Sequence, residues 1–292
     1  MNNIYNGDSI ELLKYIKENT IHLVLSDIPY GIGYDNWDVL HENTNNAYLG
    51  SSPAQQKAGN VFKRRGKPLN GWSESDKLIP IQYYNWVSLW VQDLLLTLIP
   101  GSSAFIFCGR RFAHRCVAAF EDAGFIFKDT LVWEKQSATL RAQHVSNIFL
   151  KRNNTELAYT WEGWRLGNLR PIYEPILWFM KPYNIGTTLI DNIIKYNVGG
   201  YNENILKKYN QKTNNLFSFK YEKEDRGLHP TQKPLKLMEM LIELTTIPGQ
   251  TVLDPFCGSG TTLLAAKNLE RNYIGIEYNE EYYNIAKNRL SC

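Results

Sequence analysis

The chain has 292 residues, 43% of them hydrophobic, and its 32 Lys and Arg against 29 Asp and Glu give a net charge of +3. This length and composition exclude an intrinsically disordered chain, a collagen-like repeat and a small disulfide scaffold. The four cysteines have no metal-ligand spacing and predict reduced thiols and no metal site. No apolar run reaches the roughly 20 residues that span a bilayer, and the first residues are polar, so we expect a cytoplasmic protein without membrane contact.

The first half of the chain alternates helical and strand patterns around one long polar stretch. Apolar residues at helical spacing predict a helix over 9–18 with Asp8 or Ser9 as its N-cap, and the apolar run from Ile21 predicts a buried strand. Residues 41–72, rich in Asn, Gly, Ser and Gln, predict a long mobile loop. Beyond that loop we expect a helix over 83–99 that stops at Pro100-Gly101, a strand over 103–107 and a helix over 112–123.

The second half returns to the same alternation after an irregular middle. Two strands are predicted over 129–134 and 175–181, whereas 183–228 shows no clear periodicity. The last part predicts, in order, a helix over 234–246, the strand TVLDP, a glycine loop, a helix over 261–269, the strand NYIGIE and a closing helix. Strands that alternate with helices predict an α/β fold, with a doubly wound and mostly parallel sheet covered on both faces.

The glycine loop predicts a nucleotide site. Its strand ends at Asp254, Gly258 and Gly260 form the turn, and a helix begins near Thr261. Glu277 ends the next strand, about where a nucleotide-binding unit places the acid that binds a ribose. The loop lacks the Gly-Lys-Ser/Thr of a P-loop and the G-x-G-x-x-G of dinucleotide enzymes, and Asp254 would repel a pyrophosphate. A ligand with a ribose, a cationic amine and no phosphate fits these residues, and S-adenosylmethionine has these features.

A second motif, SDIPYG at positions 26–31, lies at the carboxyl end of the first predicted strand, where open α/β sheets bind ligands. The exocyclic amine of adenine or cytosine is a poor nucleophile because its lone pair is delocalised into the ring. The Asp27 carboxylate and the Ile28 carbonyl, each accepting one N–H, can draw that nitrogen toward tetrahedral geometry and stabilise the charge that develops during methyl transfer. Pro29 fixes the backbone, and Tyr30 can stack on a base that has left the duplex.

Together the motifs resemble the amino-methyltransferases of DNA, the family that methylates adenine N6 or cytosine N4. The DIPY of Asp27–Tyr30 resembles the family's catalytic Asp-Pro-Pro-Tyr, and DPFCGSGT from Asp254 resembles its cofactor loop. HPTQKP from His229 resembles a segment that helps to hold S-adenosylmethionine, and Asp8 resembles a residue that reaches the cofactor adenine. The resemblance implies a circularly permuted, Rossmann-like methyltransferase fold of the family's β group. The cofactor-binding residues that it implies are Asp8, His229, Thr231, Lys233, Asp254, Phe256, Gly258, Gly260, Thr261 and Glu277.

The catalytic motif departs from the family pattern at one position. Ile28 stands where the family usually has proline, and because the acceptor is its carbonyl we expect activity to survive. Members that act on cytosine N4 more often carry Ser at the first position, so Asp27 favours adenine N6. Cytosine N4 methylation stays open as the alternative, as do a structured-RNA methyltransferase and a non-catalytic, sequence-specific DNA-binding protein with a vestigial cofactor pocket.

The resemblance also divides the chain and suggests its partners. Residues 183–228 lie where the β group places its target-recognition region, between the two parts, 1–182 and 229–292, of a catalytic and cofactor-binding domain. The expected partner is double-stranded DNA, and the family adds a homodimer and a cognate restriction endonuclease. The basic residues expected to contact DNA are Lys63, Arg64, Arg65, Lys195, Lys207, Lys208, Lys212 and Lys220.

Overall fold

A computed structural model of the chain describes residues 2–31, 74–135, 142–222 and 232–291. The loop predicted over 41–72, with its basic cluster Lys63-Arg64-Arg65, lies outside the described residues. So do two of the predicted cofactor-binding residues, His229 and Thr231.

The first half of the described chain contributes four strands to the main sheet. In chain order the elements are β1 (Asn2–Asn6), α1 (Ser9–Leu12), a 3₁₀ turn (Leu13–Tyr15), β2 (Ile21–Asp27), α2 (Glu74–Thr97), β3 (Leu98–Phe107), α3 (Ala113–Asp122) and β4 (Ile126–Glu134).

The second half begins with a small excursion and then completes the sheet. Its elements are β5 (Gln143–His144), α4 (Val145–Lys151), α5 (Thr155–Thr160), β6 (Arg165–Leu166), β7 (Tyr173–Met180), α6 (Leu189–Tyr196), α7 (Glu203–Lys208), β8 (Leu216–Ser218), α8 (Leu235–Thr245), β9 (Thr251–Asp254), α9 (Thr261–Asn268), β10 (Asn272–Glu277) and α10 (Glu280–Ser291).

Eight strands form one sheet in the order β1-β10-β9-β2-β3-β7-β4-β8. Neighbouring pairs are parallel except those of β7, which runs antiparallel to both β3 and β4. We call the side where the parallel strands end the carboxyl edge and the opposite side the amino edge. The predicted mostly parallel α/β sheet is confirmed.

Helices cover both faces of the sheet because the central strands are apolar on both sides. In β2, Val24 packs in the cluster that contains Val87 and Trp90 of α2. Its neighbours Leu23 and Leu25 pack in the cluster under α8 and α9. A strand buried on both faces reads as a continuous apolar run, which is the pattern seen from Ile21 onward. The doubly wound arrangement is confirmed.

Several predicted element ends differ from the structure. The helix predicted over 83–99 begins earlier, at Glu74, and ends at Thr97. Pro100 and Gly101 do not stop the chain between a helix and a strand, because both lie inside β3. Gly101 has a φ of +83° and its N–H donates to the Lys181 carbonyl at 2.9 Å, so the strand continues through an irregular pairing near its start. The helix predicted over 9–18 ends at Leu12 and continues only as the 3₁₀ turn, although Asp8 is its N-cap as predicted.

Strand β1 was not predicted, and two longer segments without a predicted element also contain regular structure. Within 183–228, the structure shows α6, α7 and β8, and Phe217 of β8 is buried against the main sheet. Between β4 and β7, residues 142–172 fold into two short helices and a two-stranded ribbon, which we call the lobe. Because β4 ends and β7 begins at the carboxyl edge, with Glu134 paired to Tyr173, the lobe is attached at that edge.

Candidate active site

The two sequence motifs meet at the carboxyl edge, in the middle of the sheet. Strands β2 and β9 are neighbours, with Leu23 paired to Val252. Beyond that pairing, the Ser26 hydroxyl donates to the Asp254 carboxylate at 2.7 Å, and both side chains are buried. A direct hydrogen bond therefore joins the strand of the catalytic motif to the first residue of the glycine loop.

The glycine loop folds tightly against α10. Gly258 and Gly260 have φ angles of +52° and +81°, which favour glycine. A Cβ atom at Gly260 would lie 2.9 Å from the Cβ of Ala286, so this residue must lack a side chain for the loop to pack. The Cys257 N–H donates to the Ile276 carbonyl at 3.0 Å, and its thiol is buried. Within this turn Gly258 stays partly exposed, whereas Gly260 and Thr261 are buried. Accessible glycine backbone in a strand-to-helix loop suits a nucleotide-type ligand.

Asp254 organises the loop from inside. Its carboxylate accepts hydrogen bonds from Ser26 and from the Phe256 N–H at 3.1 Å, and only 2% of the residue is exposed. Burial raises the pKa of Asp254 to about 6, although hydrogen bonds from Thr262, Ser26 and Phe256 act in the opposite direction. The group is ionised at neutral pH and loses its charge in mildly acidic solution.

Glu277 joins the end of β10 to the glycine loop. One carboxylate oxygen accepts the Gly258 N–H at 2.8 Å and the other accepts the Asn279 N–H at 2.7 Å. Burial raises the pKa of Glu277, against the effect of these backbone donors. Each oxygen retains a lone pair that can accept a hydroxyl, so the residue suits a ribose. Asp8 follows β1, whose Asn6 is paired with Glu277, and so lies at the same edge.

Two other predicted cofactor residues have their side chains engaged within the protein. Thr261 is buried, and its hydroxyl accepts a hydrogen bond from Arg289 at 3.3 Å. Phe256 packs against Trp86 and Trp90 of α2, with ring centroids 5.6 Å and 5.1 Å away. Both side chains therefore stabilise the loop.

The catalytic motif presents one unpaired carboxylate oxygen. Oδ2 of Asp27 pairs with the Lys233 ammonium, whereas Oδ1 is buried and no described residue donates to it. Ile28 has a buried side chain, and its N–H donates to the Phe107 carbonyl at 3.2 Å. The Pro29 carbonyl accepts the hydroxyl of Tyr83 at 3.2 Å. The turn is thus fixed from two sides, with its acidic residue facing the edge.

Tyr30 is anchored at its hydroxyl, which donates to Glu174 Oε2 at 3.1 Å. A Cβ atom at Gly109 would lie 3.1 Å from the Tyr30 Cβ, so the loop after β3 approaches the tyrosine closely. Burial raises the pKa of the Tyr30 hydroxyl well above its ordinary value, and the nearby Asp27 and Glu174 act in the same direction. The hydroxyl therefore stays protonated and acts as a donor.

Four charged side chains form a buried cluster beside Tyr30. Lys233 contacts Asp27 and lies 3.6 Å from Glu174, which also pairs with Lys135 at the end of β4. Burial raises the pKa of Asp27, against the effect of Lys233. Burial alone would raise the pKa of Glu174 and lower that of Lys233. Their ion pairs outweigh burial, so the pKa of Glu174 is lowered and that of Lys233 is raised. The structure thus places Lys233, predicted to hold the cofactor, in contact with Asp27, the predicted catalytic aspartate.

Sequence reasoning missed three residues of this site. It did not indicate that Ser26 would be the partner of Asp254, and it did not single out Glu174 or Lys135. Glu174 is the second residue of β7 and Lys135 directly follows β4, and both are common places for a charged residue. The two meet because β7 is antiparallel to β4, which no local pattern indicates.

Of the five described lysines predicted to contact DNA, three lie away from the carboxyl edge. Lys195 is on α6, whose Asn192 donates to the Pro100 carbonyl at the start of β3. Lys207 and Lys208 are on α7 and pair with Glu203 and Glu243, and Glu243 lies in the last turn of α8, before β9 begins. These three positions belong to the amino edge, opposite Asp27, so their position does not support the predicted contacts. Lys212 precedes β8 in the chain and Lys220 follows it, and both residues are exposed.

Metal centres and membrane spans each require a recognisable grouping of residues. In the described ranges, no group of three or more His, Cys, Asp and Glu side chains could hold a metal ion. No helix in the same ranges is both long and apolar enough to cross a membrane.

Comparison with known proteins decides the family. The family model N6_N4_Mtase, described as DNA methylase, matches residues 21–288. The chain belongs to the N6/N4 DNA methylase family. It is 54% identical over 98% of its length to the Type II methyltransferase M.HindIII of Haemophilus influenzae, and the match covers 94% of that protein. The Type II methyltransferase M.BglII of Bacillus subtilis is 27% identical, over 100% of this chain and 69% of that protein.

Solved structures of other DNA methyltransferases share the fold. The M1.HpyAVI complex with S-adenosylmethionine is 25% identical, with a TM-score of 0.56 over 99% of this chain and 100% of that chain. The PvuII DNA methyltransferase, which is cytosine-N4-specific, has a TM-score of 0.63 at 18% identity, over 99% of this chain and 86% of that chain. This N6/N4 DNA methylase is an S-adenosylmethionine-dependent DNA methyltransferase, so the predicted fold, enzyme class and cofactor are confirmed.

Proposed function

We propose that this N6/N4 DNA methylase transfers a methyl group to the N6 amine of a flipped adenine within a specific DNA sequence. The observation that carries this proposal is the buried and unpaired Oδ1 of Asp27 at the carboxyl edge, beside Tyr30 and one strand away from the cofactor loop. A buried carboxylate oxygen without a donor is a site of unused hydrogen-bonding capacity. An exocyclic amine supplies the donor that it lacks.

Each residue of the catalytic motif has a task in this proposal. When bound, S-adenosylmethionine supplies the methyl group, which leaves its sulfonium sulfur. Asp27 Oδ1 accepts one N–H of the amine and the Ile28 carbonyl accepts the other, so the nitrogen lone pair is freed from the ring. Tyr30 stacks on the base and offsets part of the few kcal/mol that unstacking from the duplex requires. Asp27 then takes the proton that the amine must lose.

The cofactor is assigned to the glycine loop and the strand ends around it. Glu277 would hold the ribose hydroxyls and Asp8 the adenine, while Asp254 and the backbone at Gly258 and Gly260 would face the charged end of S-adenosylmethionine. The positive φ angles of both glycines and the spare lone pairs of Glu277 support this assignment. Phe256 and Thr261 act by holding the loop, and His229 and Thr231 stay predictions.

The acidic first residue of the motif favours adenine over cytosine, because family members that act on cytosine N4 more often carry Ser there. The decisive experiment incubates the purified enzyme with S-adenosylmethionine and unmethylated DNA, digests the DNA to nucleosides and identifies the product by mass spectrometry. We expect N6-methyladenine. N4-methylcytosine would keep the machinery and overturn the base assignment, and methylation of RNA alone would overturn the DNA substrate.

We propose that the DNA duplex binds at the carboxyl edge and the lobe, and not at the lysines of α6 and α7. The lobe carries four basic and two acidic residues and exposes large side chains, among them Tyr159, Trp164 and Leu169. Basic residues interleaved with exposed aromatics suit phosphates and unstacked bases. Lys63, Arg64 and Arg65 stay predicted phosphate contacts.

A matched pair of double variants tests this assignment. We expect K151Q/R152Q in the lobe to weaken DNA binding about tenfold and to reduce its dependence on salt concentration. We expect K195Q/K207Q, which removes the same charge at the amino edge, to leave both unchanged. Binding is measured by fluorescence anisotropy with a labelled duplex at several salt concentrations. Equal losses in the two variants would contradict the assignment.

The biological setting follows from the relatives, which are named Type II methyltransferases. We assign the enzyme to a restriction-modification system in the cytoplasm, where its modification would protect DNA from a cognate endonuclease. Digestion of methylated and unmethylated DNA with that endonuclease tests this role, and equal cleavage would refute it. The homodimer stays a prediction that light scattering tests.

A further inference from the structure

We propose that Glu174 is a positioning residue, which holds Lys233 and Tyr30 so that Asp27 keeps one oxygen open for the amine of the substrate base. The inference rests on the proposed function only in requiring that Asp27 accepts a hydrogen bond from an exocyclic amine. It concerns a residue in β7, separated from the cofactor strand β9 by β2 and β3.

The geometry shows what Glu174 holds. One carboxylate oxygen pairs with Lys135, and the other accepts the Tyr30 hydroxyl at 3.1 Å and lies 3.6 Å from the Lys233 ammonium. Asp27 pairs with the same ammonium through Oδ2 alone. Lys233 thus lies between two carboxylates, and Glu174 is the one that does not meet the substrate.

The balance of charge explains why the second carboxylate is needed. Lys233 has only 3% of its side chain exposed, so its ammonium must find its partners inside the protein. With Asp27 as its only carboxylate, the ammonium would be drawn onto both oxygens of that residue and would compete with the substrate amine. Glu174 attracts Lys233 from the other side, and Lys135 neutralises the charge that Glu174 adds.

Other ionisable groups face this cluster and must be considered in any pH experiment. The charge of Asp27 acts on the pKa of Asp254 across the β2–β9 pair, Cys108 acts on that of Tyr30 and Tyr221 acts on that of Lys233. None of these groups is altered by substitution of Glu174 or Lys135, so opposite effects of those two substitutions report on the cluster itself.

The fold provides a matched control for Glu174. The side chain of Glu243 is also 13% exposed, pairs with a lysine, Lys208, and accepts a tyrosine hydroxyl, that of Tyr209, at 2.8 Å. It lies at the amino edge. E174Q and E243Q therefore make the same chemical change in similar surroundings, with and without the catalytic aspartate.

The experiment compares the pH dependence of kcat/KM for DNA methylation in four proteins: wild type, E174Q, K135Q and E243Q. In E174Q we expect kcat to fall about tenfold to a hundredfold, since the amine site is misplaced. We expect its acid limb to move to lower pH by about one unit, because Asp27 loses a negative neighbour and stays ionised in more acidic solution. K135Q removes a positive charge and should move the acid limb to higher pH. E243Q should match wild type.

Several outcomes would overturn the proposal. An acid limb in E174Q at the wild-type position, with activity reduced only in proportion to folded protein, would make Glu174 merely structural. Equal behaviour of E174Q and E243Q would do the same. If E174Q fails to fold, K135Q decides, and an unshifted limb there is contrary evidence. Mass spectrometry of the wild-type product separates the two proposals, because N4-methylcytosine would overturn the adenine assignment and leave the role of Glu174 intact.

Discussion

The carboxyl and amino edges of the sheet contain two side-chain clusters of nearly the same composition. At each edge a glutamate with 13% of its side chain exposed pairs with a lysine and accepts a tyrosine hydroxyl, Glu174 with Tyr30 and Glu243 with Tyr209. The clusters differ in what surrounds them. Glu174 has a second, deeply buried partner, Lys233, which it shares with Asp27, whereas the Lys208 partner of Glu243 is half exposed.

Local chemistry alone does not make a functional site. Parallel strands end in loops that are not tied to a neighbour by a hairpin, so the ends of β2 and β9 bring side chains from distant parts of the chain together at one edge. The amino edge receives helix ends and turns that satisfy one another. Variants matched across the two edges can therefore separate catalytic effects from general effects on stability.

The largest expected effect belongs to Asp27. D27N keeps the shape of the side chain but removes its charge, and we expect methyl transfer to fall about a thousandfold, since a positioned acid–base group contributes on the order of 10²- to 10⁴-fold. The affinity for S-adenosylmethionine without DNA should not change. Single-turnover methylation and calorimetric titration measure the two quantities. Loss of both in a folded D27N protein would contradict the assignment of Asp27 to the amine.

A pair of glycines tests the two ends of β9. Gly260 at the carboxyl edge and Gly249 at the amino edge have φ angles of +81° and +84°. A Cβ atom at Gly260 meets Ala286, whereas at Gly249 nothing lies within 4 Å. We expect G249A to lower the free energy of unfolding by about 1 kcal/mol through backbone strain alone. G260A should lower it by about 3 kcal/mol because a clash is added to the strain.

Chemical denaturation measures the loss of unfolding free energy in both variants. The affinity for S-adenosylmethionine is measured as well, and only G260A should weaken that affinity, because only Gly260 lies in the predicted cofactor loop. Equal losses of stability and affinity in the two variants would show that the close approach to Ala286 is unimportant.

The third expected effect is a dependence of cofactor affinity on pH. Asp254 has a pKa of about 6 in the folded protein, above the ordinary 3.8, so its ionised form decreases as pH falls through 6. A cationic ligand prefers the ionised form, and at pH 5 we expect its affinity to be about tenfold lower than at pH 7. D254N should bind weakly at both values. A pH-independent affinity in wild type would remove Asp254 from the cofactor site.

The same shift predicts an opposite trend for the protein without cofactor. A carboxyl group with a raised folded-state pKa favours the protonated folded protein, so its contribution lowers the free energy of unfolding as pH rises from about 4 to 6. S-adenosylmethionine should therefore stabilise the protein more at pH 7 than at pH 5. Thermal unfolding with and without the cofactor at each pH measures this difference.

The smallest expected effects come from the two tyrosine hydroxyls. Y30F removes the donor to Glu174 and should reduce kcat a few-fold while binding of DNA persists, since the ring remains. Y209F removes the donor to Glu243 and should lower the free energy of unfolding by about 1 kcal/mol without changing kcat. Steady-state kinetics gives kcat and chemical denaturation gives the free energy of unfolding for each of the two variants. A reduced kcat in Y209F would contradict the separation between the edges.

The parts of the fold that can be predicted from the sequence have local signals. Periodicity and the glycine turn locate β2, β9 and β10, and the short motifs by themselves predict Asp27 and Glu277 as site residues. The direction of β7 has no such signal, because an isolated apolar strand pairs equally well in either direction until its neighbours are fixed. Glu174 and Lys135 meet only through that direction.

The lysines of 183–228 show the opposite difficulty. Their number and their place in the chain predict a DNA surface, but charge composition does not say which way a helix faces. Lys195 and Lys208 lie at the amino edge because α6 contacts the start of β3 and α7 contacts the end of α8. The lobe, which does lie at the carboxyl edge, contains helices too short to give a clear periodic pattern.

The order of strands also governs how the protein can fold. Strands β1 and β2 are consecutive in the chain, yet β9 and β10, which come last, lie between them in the sheet. The gap between β1 and β2 therefore stays unfilled until the final segments insert, and contacts of such long sequence separation form slowly. During synthesis from the first residue, one side of β2 has no neighbouring strand to pair with for most of translation. Methylation activity must consequently appear in a single late step, and a chain cut before β9 retains none of it.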